Sequence, residues 1–69
     1  MAERLGNRLK EARAAMGLTQ AELAERTGVT RKTINTVENG IFVPSTLLAL
    51  RMAQVLGRPM DALFFIDTD

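Results

Sequence analysis

The chain has 69 residues, 46% hydrophobic and 25% charged, with a net charge of +1 and neither cysteine nor histidine. That length sets one small domain, residues 1–69, burying about 60% of the surface its unfolded form exposes. It leaves no disulfide staple, thiolate nucleophile, common zinc ligand or histidine base, so no catalytic residue, metal or other cofactor is expected. No apolar run is long enough to span a bilayer and no secretory signal is visible, which predicts a cytoplasmic protein that makes no membrane contact. The charge is unevenly spread: residues 1–40 hold seven Lys or Arg against five Asp or Glu, and residues 41–69 hold two against three.

Met1 to Glu3 carries no structural signal. From Arg4 the apolar residues Leu5, Leu9, Ala12 and Met16 recur at helical spacing up to Gly17, predicting a first helix. Thr19 with Glu22 three residues on is a capping box, and Leu18 can staple onto Leu23, so a second helix starts at Gln20 with Leu23, Ala24 and Thr27 inward. Gly28 stops it in the left-handed conformation that glycine adopts without steric cost. Thr30 caps a third helix that runs to Asn39-Gly40, with Thr30, Ile34 and Val37 facing inward. Ile41-Phe42-Val43-Pro44 is apolar and ends in proline, predicting an extended segment tucked under the bundle. Ser45 caps a fourth helix to Leu56, with Leu48, Ala49, Met52, Ala53 and Leu56 inward and Leu47 and Leu50 outside that stripe. Pro59 opens a short fifth helix, Met60 to Phe64. Phe64 and Phe65 are adjacent, so both cannot enter one small helical core, and the tail Asp67-Thr68-Asp69 reads as solvated.

Two capped helices joined by a glycine-containing turn make a helix-turn-helix, here about residues 20–39. The outward side of its second helix carries Lys32, Asn35, Thr36 and Asn39. Any solvated helix can carry such residues, but they also match base-pair edges in a major groove: Lys or Arg to guanine, Asn to adenine, the Thr methyl to thymine.

The stretch GLTQAELAERTGVTRKTINTVENG, Gly17 to Gly40, resembles the helix-turn-helix of the Xre family, which contains phage lambda repressor and Cro. Gln20, Ala24, Gly28, Ile34, the Glu38-Asn39-Gly40 end, Pro44-Ser45 and Leu48-Ala49 through Leu56-Gly57 all sit at that family's spacing. The fold this implies is all-α, a compact five-helix bundle of the lambda repressor-like DNA-binding type, with a short C-terminal strand as an addition. The resemblance also implies that Arg13 meets Glu38 and leans toward a phosphate, and that Gln20 lies at the phosphate backbone. It brings the start of the fourth helix, with Ser45, to the sugar-phosphate backbone. This sequence departs there, because that helix start holds no Lys or Arg.

The expected function is sequence-specific binding of double-stranded DNA by a transcriptional regulator, a repressor working as a homodimer in the nucleoid. Arg31, Lys32, Thr33, Asn35 and Thr36 are the candidates for base edges, and Gln20, Arg13, Asn39 and Ser45 for phosphates. Surplus apolar residues Leu47, Leu50, Phe65 and Ile66 are the candidate dimer interface, with the C-terminal residues pairing as a short strand. The alternative is an antitoxin or accessory subunit that uses the same fold to bind a protein partner.

Overall fold

The structure, a computed structural model, describes residues 2–68 and runs β1 (Glu3–Asn7), α1 (Leu9–Ala15), α2 (Gln20–Thr27), α3 (Arg31–Glu38), α4 (Thr46–Leu56), α5 (Met60–Leu63) and β2 (Phe64–Thr68). Local hydrogen bonding sets the helix starts. Thr19 Oγ1 accepts the Glu22 N–H at 3.0 Å while Glu22 Oε1 accepts the Thr19 N–H at 2.9 Å, closing the capping box of α2. The Thr30 and Ser45 hydroxyls likewise accept the N–H groups of Thr33 and Leu48, starting α3 and α4. Gly28, at φ 76°, makes the left-handed turn between α2 and α3.

The amphipathic stripes meet in one core around Leu9, Leu23, Ile34, Met52 and Leu63, all fully buried. Burial of each such side chain contributes about 1.5–3 kcal/mol. Ala24 is also buried there, where its small side chain lets α2 and α3 approach closely. The expected bundle of five helices is therefore present, together with a two-stranded antiparallel sheet that joins the two ends of the described chain. Leu5 stands opposite Ile66 and Asn7 opposite Phe64.

Several sequence expectations need correction. The first helix begins at Leu9, not Arg4, and Leu5 lies in β1. The four-residue step from Leu5 to Leu9 fits a helix by coincidence; Gly6 and Asn7 interrupt it, and the Leu9 N–H is taken by Asn7 Oδ1 at 3.2 Å. Met16, expected in the stripe, is exposed. Thr30 is exposed too, because its hydroxyl is spent on the cap. Ile41-Phe42-Val43 does not tuck under the bundle: Ile41 is 77% and Val43 67% exposed, and only Pro44 of the segment is buried. The Ile41 and Phe42 N–H groups both donate to Thr36 O, at 2.9 and 3.2 Å, which turns the chain outward at the end of α3. The core is closed instead by Leu63 and Phe64, since α5 ends at Leu63 and Phe64 opens β2. The C-terminal strand finds its partner in β1 of the same chain. Asp69, expected in the solvated tail, and Met1 lie outside the described residues.

Candidate nucleic-acid interface

Burial of Ile34 and Val37 orients α3, and the opposite side of that helix is what the protein presents. Arg31, Lys32 and Asn35 are exposed there and line a shallow recess of about 330 Å³. The threonines between them have committed hydroxyls. Thr36 Oγ1 donates to Thr33 O at 2.9 Å, so this side chain offers its methyl and an accepting lone pair but no proton. Thr33 Oγ1 is shared with Thr30 Oγ1 at 3.1 Å. The Asn39 amide folds back on the helix, with Nδ2 donating to Asn35 O at 2.8 Å. Donors free to reach outward are thus concentrated on Arg31, Lys32 and Asn35.

The C-terminal end of α3 is anchored by charge. Arg13 grips Glu38 with two parallel bonds, Nε to Oε2 at 2.7 Å and Nη2 to Oε1 at 3.2 Å, while its Nη1 donates to Leu18 O at 2.9 Å. The pair is partly buried, its side chains 14% and 3% exposed. Gln20 Nε2 adds a third donor to Glu38, at 3.1 Å from Oε1. Burial alone would push the Glu38 carboxyl up. The hydrogen bonds from Arg13 and Gln20, with the fields of Arg13 and Lys10, outweigh it and hold the group below the usual carboxylate range. The Glu38 hydrogen bond raises Arg13 in turn, against the opposing effect of burial. Three segments therefore converge: α1, the start of α2 and the end of α3.

The Arg13–Glu38 pairing is what the resemblance implies; the Gln20 link was missed, as was Asn7. Asn7 Nδ2 donates to Val37 O at 2.9 Å, fastening β1 to the end of α3. An Asn two residues before a helix start is a legible turn signal. Its second bond, across 30 residues, has no sequence signature.

A helix-turn-helix family model matches residues 9–63. The chain belongs to the Xre/Cro-like helix-turn-helix family. It is 50% identical over 62 residues to an uncharacterised HTH-type transcriptional regulator of Methanothermobacter thermautotrophicus, covering 88% of this chain and 90% of that protein. It is 40% identical over 63 residues to the uncharacterised HTH-type transcriptional regulator YgzD of Bacillus subtilis, covering 91% and 96%. Among solved structures it is similar to the restriction-modification controller protein C.AhdI of Aeromonas hydrophila, with a TM-score of 0.74, 33% identity and coverage of 78% and 82%. The protein is accordingly a transcriptional regulator with a helix-turn-helix DNA-binding fold, from a family that is not enzymatic.

In this helix-turn-helix regulator the remaining candidates fall on two further surfaces. The Ser45 side chain caps α4 and is exposed. Leu47, Leu50, Phe65 and Ile66 are all exposed, Phe65 the least of the four because its ring lies against Gly6 and carries the Arg8 guanidinium 4.8 Å from its centroid. No helix among the described residues is long and apolar enough to cross a membrane, and no cluster of His, Cys, Asp or Glu among them could hold a metal ion.

Proposed function

We propose that this regulator is a repressor that binds an inverted-repeat operator in double-stranded DNA as a homodimer, residues 1–69 acting as one DNA-binding domain in the nucleoid of the cytoplasm. The observation that carries this reading is the outward face of α3, with Arg31, Lys32 and Asn35 unobstructed on a helix braced by the Arg13–Glu38–Gln20 cluster. Arg31 and Lys32 stand in the first turn of α3, and recognition helices of this kind touch base edges with their N-terminal residues. Lys32 and Arg31 suit guanine, Asn35 suits adenine, and Thr36, having no proton to give, suits a thymine methyl. Thr33 completes that face beside the cap.

Phosphate contacts surround it. Gln20 stands in the first turn of α2, where free N–H groups favour an anion. Arg13 retains two N–H groups beyond its bonds to Glu38 and Leu18, and Asn39 and Ser45 flank the far end. Of these phosphate candidates only Arg13 is cationic, so few counterions are released on binding and the salt dependence should be shallow. One recognition helix spans only a few base pairs, so two copies on a two-fold axis supply a usable site, and the bound dimer would block transcription by occupying the operator. The exposure of Ile41, Val43 and Leu47 favours the second reading, an accessory or antitoxin subunit that covers these groups with another protein.

Selection of bound duplexes from a random pool at about 0.15 M salt separates the two. The operator reading expects an inverted repeat with half-sites about 10 base pairs apart, lost when Lys32→Ala and Thr36→Ala are combined. A folded protein that selects no motif overturns it in favour of a protein partner.

A further inference from the structure

Thr36, half-buried in the last turn of α3, is held in one hydrogen-bonding sense. Its Oγ1 lies 2.9 Å from Thr33 O. A carbonyl can only accept, so the hydroxyl proton must point at it, and the Thr36 oxygen keeps lone pairs for a ligand but has nothing to donate. No described residue donates to that oxygen. Thr33 differs: its hydroxyl faces the Thr30 hydroxyl at 3.1 Å, where either oxygen can give the proton. The Thr36 backbone is fixed as well, since the Ile41 and Phe42 N–H groups close on its carbonyl at 2.9 and 3.2 Å.

Thr36 therefore offers a base edge two things, a methyl group and an acceptor oxygen. The major-groove edges sort cleanly against that pair. Thymine carries a C5-methyl, but beside it stands a keto oxygen, so two acceptors would meet with no proton between them. Cytosine and adenine present an amino donor and no methyl. Guanine presents acceptors only. The base with a methyl and an amino donor on neighbouring ring atoms is 5-methylcytosine.

We infer that Thr36 reads 5-methylcytosine, so that cytosine methylation tightens the hold of this regulator on its operator. The inference rests on the operator reading and refines it: thymine, which satisfies the methyl alone, is the second-best base at that position. Lys32 stands one helical turn before Thr36 on the same side of α3 and suits a guanine. Methylcytosine with a guanine close by is thus the combination this part of the helix matches.

Selection at about 0.15 M salt from two random duplex pools, one made with cytosine and one with 5-methylcytosine throughout, tests this. Within an inverted repeat, the ordinary pool should place thymine at one position of each half-site, and the methylated pool should replace it with methylcytosine. In synthetic duplexes, methylcytosine should bind about fourfold more tightly than cytosine at each half-site, the effect of covering one methyl group. It should exceed thymine by about two- to tenfold, the worth of one neutral hydrogen bond. Thr36→Val keeps the methyl and loses the oxygen, so its preference for methylcytosine over cytosine should persist while its preference over thymine collapses; comparing this ratio with wild type cancels the change of the purine opposite. Thr36→Ser keeps the oxygen and loses the methyl, and should no longer distinguish methylcytosine from cytosine. A general loss of folding cannot produce these opposite losses. Thymine bound by the wild type as tightly as methylcytosine, or a methylcytosine preference that survives in Thr36→Ser, would overturn the inference. An inverted repeat indifferent to methylation overturns it alone and leaves the operator reading standing. No repeat from either pool, with the protein folded by circular dichroism, overturns both.

Discussion

Replacing Glu38 with alanine leaves the Arg13 cation without its carboxylate in a site that solvent reaches only on one side. The Arg13 side chain is 14% exposed, and both Glu38 oxygens hold its Nε and Nη2 at 2.7 and 3.2 Å. Removing one member of a buried ion pair typically costs about 3–5 kcal/mol, because the remaining charge keeps its desolvation penalty without its partner. A chain of 69 residues has only about 3–10 kcal/mol in total at roughly 0.05–0.15 kcal/mol per residue. Glu38→Ala should therefore cost about 2–3 kcal/mol, at or below the lower end of that range because solvent reaches one side of Arg13, and lower Tm by about 8–24 °C, at roughly 4–8 °C per kcal/mol for a domain of this size. The pair Arg13→Met with Glu38→Leu should recover most of that loss, since apolar groups of similar volume carry no unmatched charge. With neither tryptophan nor tyrosine in the chain, urea unfolding is best followed by far-ultraviolet circular dichroism. A Glu38→Ala cost below about 1 kcal/mol, the level of an exposed surface pair, would refute the reasoning, as would a double variant no more stable than the single one.

The same carboxyl predicts a pH dependence. Its folded pKa is depressed, so its contribution is present above the unfolded value of about 4.3 and is lost as pH falls through the lower folded value. Melting temperatures of the wild type should fall more steeply below that pH than those of the Arg13→Met, Glu38→Leu variant; parallel curves would remove Glu38 as the cause. At Gly6, a Cβ would run into the Phe65 ring. Gly6→Ala should therefore cost about 1–3 kcal/mol by displacing the ring from beneath Arg8, and that cost should largely vanish in a Phe65→Ala background, measured by the same denaturation.

How much of this molecule its sequence determines depends on the range of the forces involved. The helix starts at Gln20, Arg31 and Thr46 were legible because Thr19, Thr30 and Ser45 bond to N–H groups three residues away, and the stop at Gly28 because a left-handed residue favours glycine locally. The outward face of α3 was legible because the 3.6-residue period that buries Ile34 and Val37 also exposes Lys32 and Asn35. The tertiary structure alone decided the rest. Leu5 satisfies a helical step and a strand alternation equally well, and it became a strand residue only because Ile66, at the other end of the chain, stands opposite it. Phe64 and Phe65 point to opposite faces for the same reason, one into the core and one beneath Arg8. Ile41 and Val43 have the composition of core residues but stay outside, because Leu63 and Phe64 close the core and two N–H bonds to Thr36 O turn the loop away. Pairing between segments distant in sequence leaves no periodicity in either one, so strands, loop exposure and the Asn7–Val37 tie emerge only when the chain closes on itself.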